Sequence, residues 1–503
     1  MPSSSLLLIL VLPLLGGVLL PLLSGVQVPR TKLITASIPA VQLLITLLIW
    51  LHPPADLTLA WVPQLGLNLD LGVDGLSLPL MLLAALLTVV AILASAEDQA
   101  RPRLFFPLIL ATNLGLMGAF LARNALLFVL CNELMMIPIT LLLAIWGGKQ
   151  RVGAAIRFLM FASVSGLCLV AAVLALGWLN GNGFSFAYAD LAQADLSPRS
   201  RGWILALLLL GFGLKLPVVP LHGWQPLAYS QASTPVVILL SGGVCKLAAY
   251  GLLRFGVGFL PESWASWSVW IASAGAASAI YGALNAIAQA DMRRMVAYSS
   301  LGHMGLLVLA LAAATPLSLQ GAVAQVLAHG MIVPLLFIVV GLIEAKTGTT
   351  TIADISGLMN PLRGLPLTMT LLLMALMASA GVPGQAGFVA EFLVFQGSWS
   401  AFPWPTLLCL VASGFTAVYA VRLFNRVGFG RLDNDRVDYP TTSWGERLPA
   451  VVLSLLIVVG GLWPPLLVGW SEPATAVLSL RTDPFTSTLI ATAPLPTLAT
   501  TSR

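Results

Sequence analysis

The sequence predicts an all-α polytopic membrane protein of about 14 transmembrane helices, with two inverted five-helix repeats that each contain a broken helix. Three observations predict this fold class. Hydrophobic residues make up 58% of the 503 residues and charged residues only 9%, a composition that soluble domains do not have. About fourteen apolar segments are long enough to span a bilayer. Two of these segments are interrupted by proline and glycine at corresponding positions.

The apolar segments follow one another with little sequence between them. No stretch outside them exceeds about 35 residues, which leaves little room for a separate soluble domain. The chain begins Met-Pro-Ser-Ser-Ser, without a basic region or an Ala-x-Ala cleavage site, so we expect the first span to be retained. The segments are centred near residues 14, 42, 86, 112, 136, 168, 213, 247, 277, 304, 330, 380, 415 and 460.

These segments divide the chain into four parts. Residues 1–103 hold three helices and an outer hairpin, because the run LGLNLDLGVDG alternates apolar and polar residues and ends at Asp74-Gly75. Residues 104–260 form the first five-helix repeat, and residues 261–430 form the second. Residues 431–503 hold the last transmembrane helix and a tail rich in Ser, Thr and Pro. We expect the tail to lie along the outer surface or to be partly disordered.

The formal net charge of +5 indicates membrane topology rather than a surface for nucleic acid. When the loops are assigned alternately to two faces, 16 of the 24 Lys and Arg residues share one face and six lie on the other. The positive-inside rule then places both termini outside, in the lumen or periplasm. An odd number of spans would remove this asymmetry, so the charges favour an even number. The outer residues are Arg123, Arg199, Arg201, Arg254, Arg481 and Arg503.

Two spans are predicted to be discontinuous. The seventh is interrupted at residues 215–220 (KLPVVP) and the twelfth at residues 381–387 (GVPGQAG), because proline removes a backbone donor and glycine loosens a helix. Pro217 and Pro383 each fall in the fourth span of a five-span unit. Paired breaks of this kind are typical of inverted repeats with ion sites at mid-depth. The alternative is that proline and glycine are simply common in spanning helices.

Four ionisable side chains lie inside predicted spans, namely Glu133, Lys215, Lys246 and Glu391. A lysine at the centre of a spanning helix costs about 2.5–3.5 kcal/mol on insertion scales. Glu133 and Lys246 lie about 12 and 15 Å into their spans, near the midplane of a core about 30 Å thick. Low dielectric favours the neutral form of a lysine and a nearby carboxylate favours its charged form, so such a lysine can exchange protons.

We predict that these groups carry protons across the membrane. In this hypothesis Glu133 pairs with Lys215 and modulates it. Lys246 then relays the proton onward, and Glu391 exchanges it with one face. The alternative is that Glu133 and Lys215 form a purely structural ion pair, although buried pairs contribute little to stability.

The four histidines and four cysteines complete the candidates for chemistry. His303 and His329 are predicted proton relays because histidine titrates closest to neutral pH, the alternative being hydrogen-bonded packing. His222 follows the first break and is expected to cap it, and His52 is expected to be a loop residue. None of the cysteines forms a C-x-x-C pair, so the sequence signals no zinc or iron–sulfur site.

Several runs of sequence resemble the antiporter-like subunits of respiratory and photosynthetic complex I. They occur in order from about Trp61 to Trp463, and they are most similar to the ND4/NuoM type, called the D subunit in the cyanobacterial and plastid enzyme. The runs are LGVDGLSLPL, GLKLPVVPLHGW, SQASTPVVILLSGGVCKLAAYGLLRF, QADMRRMVAYSSLGHMG, QGAVAQVLAHG and GVPGQAGFVAEFLVF.

This resemblance implies a proton-pumping subunit of an NAD(P)H- or ferredoxin-plastoquinone oxidoreductase. The chain itself is then expected to hold no cofactor, with plastoquinone and iron–sulfur clusters in partner subunits. Other membrane subunits of complex I, antiporter-like neighbours on both sides and lipids are the expected partners. The expected location is a cyanobacterial thylakoid membrane, with both termini in the lumen. The implied proton-pathway residues are Glu133, Lys215, Lys246, His303, His329 and Glu391.

The sequence departs from the family pattern at three places. Residues 225–229 read QPLAY where the family usually has an acid and a histidine, Arg157 stands where a lysine is usual, and Asn132 replaces an aromatic residue. These departures put the inner end of the pathway in doubt. With these departures the chain resembles a specialised paralogue, such as the D subunits of complexes devoted to CO2 uptake. Peripheral CO2-hydration subunits are then further expected partners.

Two other functions stay open. The chain can be a subunit of a multi-subunit cation/proton antiporter, because shared ancestry gives both classes the same lysines and broken helices. It can also be a scaffold that holds neighbouring subunits without pumping.

Overall fold

The computed structural model describes residues 1–22, 27–181, 183–431 and 439–482. Over these ranges the chain is almost entirely helical, with one two-stranded sheet. Eleven of the described helices are long and apolar enough to cross a membrane, and two shorter helices are also apolar. The predicted all-α polytopic membrane protein is therefore confirmed.

The N-terminal part consists of three helices and a hairpin. Its elements are α1 (Ser4–Leu19), continued by a 3₁₀ turn (Leu20–Leu22), α2 (Val28–Leu51), β1 (Leu57–Val62), a 3₁₀ turn (Pro63–Leu65), β2 (Leu67–Leu71) and α3 (Ser77–Leu93). The middle of the chain holds α4 (Pro102–Leu121), α5 (Ala125–Leu134), α6 (Met136–Trp146), α7 (Arg151–Trp178), α8 (Tyr188–Leu191), α9 (Pro198–Lys215), α10 (Gln225–Gln231), α11 (Thr234–Leu239) and α12 (Cys245–Gly251).

The helices α11 and α12 form one continuous span with two π-helical segments. Leu240–Val244 joins the two helices, and Leu252–Val257 extends the span beyond α12. The remaining elements are α13 (Pro261–Ala288), α14 (Met292–Ala313), α15 (Pro316–Thr347), a 3₁₀ turn (Ile352–Asp354), α16 (Pro366–Ser379), α17 (Ala386–Trp399), α18 (Pro403–Gly428), α19 (Trp444–Leu462), α20 (Pro465–Val468) and α21 (Glu472–Thr482).

The number of spans stays a prediction. A count of fourteen requires α3, the broken pair α9–α10 and the broken pair α16–α17 to cross the membrane in addition to the eleven long helices. The inverted repeats and their boundaries likewise stay a prediction. The described part of the tail is helical over α21, where Ala474 and Leu478 are buried, and its location along the outer surface stays a prediction. The rest of the tail, residues 483–503, lies outside the described residues.

Both predicted helix breaks are confirmed. The helix α9 ends at Lys215 and the chain becomes helical again only at Gln225. In the second break, the backbone at Gly381 and Gly384 has φ values of +66° and +90°. These left-handed conformations are open to glycine and unfavourable for other residues, so the sequence ends α16 at this point.

The hairpin is confirmed, its location on the outer face stays a prediction, and its predicted end is wrong. The strands β1 and β2 pair antiparallel, with Leu57 opposite Leu71. The chain reverses through the 3₁₀ turn and Gly66, whose φ of +64° glycine adopts without strain. Asp74 lies beyond the second strand, where its carboxylate accepts hydrogen bonds from the backbone N–H groups of Leu76 and Ser77 at 3.0 and 2.9 Å and so helps to begin α3.

Buried polar side chains hold the N-terminal helices together. Gln42 donates a hydrogen bond to the carbonyl of Ile9 at 2.7 Å, and Asn113 donates one to Gln42 at 2.6 Å. Thr88 in turn donates to the Asn113 side-chain oxygen at 3.2 Å. Since hydrocarbon offers no competing hydrogen-bond partners, such contacts between α1, α2, α3 and α4 specify which helices associate.

Close backbone contact joins α13 to α14. A Cβ atom added to Gly282 would lie 2.4 Å from the backbone nitrogen of Gly302, and one added to Gly305 would lie 2.4 Å from the carbonyl oxygen of Gly275. Only glycine fits at such distances, and small residues are the usual means by which membrane helices approach each other closely.

A buried ion cluster fastens the hairpin region to the helix bundle. Asp74 is fully buried, accepts a 2.7 Å hydrogen bond from Arg123 and forms an ion pair with Arg254, which is 1% exposed. Burial alone would raise the pKa of the Asp74 carboxyl, but Arg254 and Arg123 together lower that pKa below its usual value. The assignment of Arg254 to an outer loop is therefore wrong: it lies in the second π-helical segment and is paired inside the protein.

We predict that Asp74→Asn lowers the free energy of unfolding by roughly 3–5 kcal/mol, because two buried guanidinium groups lose their shared carboxylate. The measurement is thermal or denaturant unfolding of the detergent-solubilised chain, followed by tryptophan fluorescence. The matched control is Asp56→Asn, which removes a half-exposed carboxylate 3.8 Å from the same Arg123 and should change stability by less than about 1 kcal/mol. Equal effects of the two substitutions would contradict this account of the cluster.

Candidate functional site

The first group of candidate residues is an ion pair at two helix ends. Glu133 is the second-last residue of α5, and Lys215 is the last residue of α9. The Glu133 carboxylate accepts hydrogen bonds from Lys215 at 3.1 Å and from the Asn132 side chain at 2.8 Å. Gly166 on α7 makes room for the carboxylate, since a Cβ there would lie 2.4 Å from its oxygen. The predicted pairing of Glu133 with Lys215 is confirmed as geometry.

The chain places this pair by interrupting two helices. Pro138 has no N–H to donate to the carbonyl of Leu134, so α5 ends beside Glu133 and α6 begins after Met135. The sequence analysis did not predict this interruption. Lys215 lies at a helix C-terminus, where the helix dipole favours a cation. Its side chain is 4% exposed, so the carboxylate rather than solvent stabilises the ammonium.

Two backbone carbonyls at the first break accept hydrogen bonds from groups other than the lysine. The Leu214 carbonyl accepts a 2.7 Å hydrogen bond from the Trp224 indole, and the Gly213 carbonyl accepts one from the Val218 N–H at 3.0 Å. These two acceptors are therefore already occupied. The ammonium of Lys215 depends on Glu133, which ties its protonation to the position of that carboxylate.

The second group of candidates begins at Lys246, in the middle of the buried span. Its Nζ lies 2.7 Å from Nδ1 of His329 and 3.6 Å from the sulfur of Met304. Lys246 is 1% exposed and His329 is 3% exposed, so both are enclosed by protein. One π-helical segment ends at Val244, two residues before this lysine, and the other begins at Leu252, six residues after it. Such segments occur frequently at functional sites, and here they flank a buried charge.

Lys246 and His329 begin a line of titratable side chains, which continues through His303 to the carboxylate of Glu391. The ring centroids of His329 and His303 are 5.9 Å apart. Nδ1 of His303 lies 3.4 Å from Oε1 of Glu391, and its Nε2 lies 3.2 Å from the hydroxyl of Ser379. The other carboxylate oxygen of Glu391 accepts a 2.6 Å hydrogen bond from Ser413 on α18. Four predicted residues from four different spans therefore lie side by side.

A small polar cavity lies among these side chains. Its volume is about 10 Å³, and its lining includes His303, His329, Glu391 and Gln325. This volume is about the minimum that a single water requires, and the lining supplies several hydrogen-bonding partners. Nε2 of His329 is buried and has no hydrogen-bond partner among the described residues. A water here can therefore bridge groups that are too far apart for a direct hydrogen bond.

The two groups are not directly connected. Among the described residues, no hydrogen bond or ion pair joins Lys215 to Lys246. The structure therefore brings together Glu133 with Lys215, and separately Lys246 with the histidines and Glu391. The predicted step from one lysine to the other requires a bridging group or a movement of the lysines.

Two further histidines lie outside this line. His222 is half-buried and packs edge-on against Tyr281, with ring centroids 4.8 Å apart. Its backbone carbonyl accepts the Gln225 N–H at the start of α10, and the capping role of its ring stays a prediction. His52 is exposed and follows α2, as expected of a loop residue.

Three of the residues that depart from the family pattern form polar contacts with other side chains of the protein. Gln225 donates to the hydroxyl of Ser300 at 3.2 Å, and the Tyr229 hydroxyl lies 3.0 Å from the sulfur of Cys245. Asn132 bonds the Glu133 carboxylate, as described above. Residues 225–229 thus hold neutral side chains where the family usually has an acid and a histidine, whereas Asn132 replaces an aromatic residue.

The sequence analysis missed the smaller polar residues of the site. Four side chains that the sequence analysis did not single out contact these titratable groups or surround the cavity, namely Ser379, Ser413, Gln325 and Met304. A single serine, glutamine or methionine in an apolar span carries no distinguishing pattern. Within the described residues, no cluster of three or more His, Cys, Asp or Glu side chains is arranged to hold a metal ion.

Comparison with known proteins identifies the family. Residues 122–416 match the family model described as "NADH:quinone oxidoreductase/Mrp antiporter, TM". The chain is 40% identical over 378 residues to NAD(P)H-quinone oxidoreductase chain 4 1 of Synechococcus elongatus, an alignment that covers 74% of this chain and 70% of the relative. It is 33% identical over 490 residues to NADH-quinone oxidoreductase subunit M of Escherichia coli K12, covering 93% of this chain and 96% of that protein.

Solved structures agree with this relationship. A chain of respiratory complex I from Thermus thermophilus with bound NADH superposes with a TM-score of 0.85 at 28% identity, over 95% of this chain and 100% of that one. A chain of the Mrp complex from Dietzia sp. gives 0.83 at 21% identity, over 98% and 99%, which shows a shared fold alone. The resemblance inferred from the sequence is thus confirmed, and the chain belongs to the NADH:quinone oxidoreductase/Mrp antiporter transmembrane family, as an antiporter-like subunit of the chain 4, or subunit M, type.

Proposed function

We propose that this chain is a proton-translocating membrane subunit of a complex I-type NAD(P)H-quinone oxidoreductase. The observation that carries the proposal is the line Lys246–His329–His303–Glu391, in which titratable side chains from four spans lie side by side inside the protein. A purely structural use of these groups is unfavourable, because a buried charged pair adds little stability compared with apolar packing. Histidine flanked by lysine and carboxylate is instead suited to passing protons on.

The geometry supports the following sequence of steps. While the Glu133 carboxylate contacts Lys215, the ammonium form of that lysine is favoured, and when the contact is lost the low-dielectric surroundings favour the neutral amine. The released proton passes to Lys246 through a bridging group. From there it reaches Glu391 through His329 and His303, and Glu391 exchanges it with one face of the membrane. The driving change at Glu133 is supplied by neighbouring subunits.

The host complex belongs to the same proposal. Relatives are named as subunits of NAD(P)H-quinone and NADH-quinone oxidoreductases, which supports partners that carry the electron chemistry. In this proposal the iron–sulfur clusters and plastoquinone lie in those partner subunits rather than in this chain. Antiporter-like membrane subunits flank it on both sides. The similarity to a Synechococcus elongatus protein supports a thylakoid location, and the charge asymmetry supports termini in the lumen.

We also propose the CO2-uptake form of this complex. The support is the loss of the acid and histidine of the family pattern at residues 225–229, together with Arg157 and Asn132. CO2-hydration subunits then attach to this chain from outside, and any zinc that they use is held by them.

A cation/proton antiporter subunit is the second candidate. The family description names Mrp antiporters, and a chain of the Mrp complex from Dietzia sp. has the same fold. In vesicles without electron donors, such a subunit would exchange sodium for protons. Quinone-reducing partners that co-purify with the chain, and proton uptake that requires their substrate, would support the oxidoreductase instead.

We expect Lys215→Ala to reduce donor-dependent proton uptake by the reconstituted complex on the order of tenfold or more, because the modulated proton carrier is lost. Uptake is measured with a pH-sensitive dye in sealed vesicles, and complex assembly is measured by native gel.

The matched control for that substitution is Lys346→Ala. Lys346 also pairs with a glutamate, Glu446 at 2.8 Å, and its side chain is only 14% exposed, but it lies at the end of α15 and away from the predicted line. Assembly and uptake should both survive in the control. If Lys215→Ala pumps normally in an assembled complex, the chain is a scaffold and the proposal fails.

We further expect His329→Leu to stop proton uptake while the complex still assembles, since the substitution separates Lys246 from His303 without adding a charge. His52→Leu provides the control, because it removes an exposed histidine after α2. The readout is the number of protons taken up per electron transferred. A ratio unchanged in His329→Leu would exclude the histidine line as the route.

A further inference from the structure

A basic cavity lies apart from the proton line, between α7, α10 and α14. Its volume is about 420 Å³, and its lining includes Lys149, Arg157, His222 and Arg294. No aspartate or glutamate is among the described residues that line it. Several cationic groups around a cavity without a carboxylate create a positive potential that favours an anion.

The three full charges of this cavity are unpaired. Within the described residues, the side chains of Lys149, Arg157 and Arg294 form no ion pair and no hydrogen bond. The carboxylate of Asp291 accepts hydrogen bonds from the backbone N–H of Arg294 and from the Thr350 hydroxyl, not from the guanidinium. The cations therefore keep their full hydrogen-bonding capacity for a ligand.

The position of Arg157 relative to the bilayer indicates what kind of anion can reach it. The helix α7 has 28 residues and is about 42 Å long, which exceeds a hydrocarbon core of about 30 Å by about 12 Å. Arg157 is six residues from the start of the helix, about 9 Å along it. With this excess divided equally between the two helix ends, the backbone of Arg157 lies about 3 Å inside the hydrocarbon core, from where its long side chain reaches the headgroup layer.

An apolar surface continues from Arg157 toward the middle of the membrane. Met160 and Val164 follow it on the same helix face, at spacings of three and seven residues, and they are 63% and 49% exposed. Phe161 on this face lies next to Gly223 at the cavity wall. A group bound at the cations would thus have exposed hydrocarbon directly below it.

We propose that this cavity binds the phosphate group of an anionic phospholipid, with the acyl chains along Met160 and Val164. The guanidinium groups of Arg157 and Arg294 hold the phosphate oxygens from two sides, and Lys149 adds charge at the rim. Arginine suits this role because its planar donors match phosphate oxygens. The chain thereby gains a lipid-specific site on the face that the sequence predicts to be basic.

The test measures lipid binding by native mass spectrometry of the full chain in detergent, titrated separately with phosphatidylglycerol, phosphatidylcholine and inorganic phosphate. We expect phosphatidylglycerol to bind on the order of tenfold more tightly than phosphatidylcholine. Arg157→Gln combined with Arg294→Gln should remove this preference, and Arg157→Lys combined with Arg294→Lys should retain most of it.

The matched control is Arg101→Gln combined with Arg103→Gln. It removes two exposed, unpaired cations that the sequence assigns to the same face, but from no described cavity, and it should leave the preference intact. Melting temperatures establish that all variants are folded. A glutamine double variant that binds phosphatidylglycerol like the unmodified chain would overturn the proposal. If inorganic phosphate binds to the chain and phosphatidylglycerol does not, the ligand is free phosphate rather than a phospholipid, and the proposal fails. Since proton uptake is not measured, failure here leaves the proposed pumping function unaffected.

Discussion

Charge inside a low-dielectric interior must be met by an opposite charge or a hydrogen-bonding partner, and this constraint organises the whole structure. An isolated buried ion is strongly unfavourable, so each one requires neighbours from other helices. Lys215 is met by Glu133, Lys246 by His329, and Asp74 by two arginines. Each contact joins elements that are distant in sequence. The ionisable groups therefore link elements that are distant in sequence, and they set what chemistry the interior can perform.

Irregular backbone accompanies these charges. Lys215 lies at a helix end, Glu133 lies beside an interruption, and Lys246 is flanked by π-helical segments. The helix carrying Glu391 begins directly after the second break. Interrupted helices offer unpaired backbone groups and space for side-chain movement, which a continuous helix does not. Such segments persist at membrane depth because packed protein surrounds them.

The buried ions differ in how much freedom their partners leave them. Asp74 is held between two guanidinium groups that stay charged under all ordinary conditions, so this cluster is a fixed structural fastening. His329 has one ring nitrogen against Lys246 and the other without a partner among the described residues, beside a cavity of about the size of a water. A group with an open position can exchange protons. The Asp74 cluster thus pairs each charge with an opposite charge, whereas His329 keeps one ring nitrogen open beside the cavity.

Much of the fold and half of the site were predictable from the chain alone. Hydrophobic run length fixed the membrane class, and Pro217, Gly381 and Gly384 fixed the breaks, because these are local properties of backbone and side chain. Charged side chains inside apolar spans could be recognised as candidates from the sequence, since burying a charge is unfavourable whichever helices pack around it. Tertiary structure alone decided the partners: Arg254 turned inward to Asp74, and His329 rather than a carboxylate met Lys246. Pairing depends on which helices become neighbours, and that follows from packing summed over the entire bundle, which no local pattern encodes.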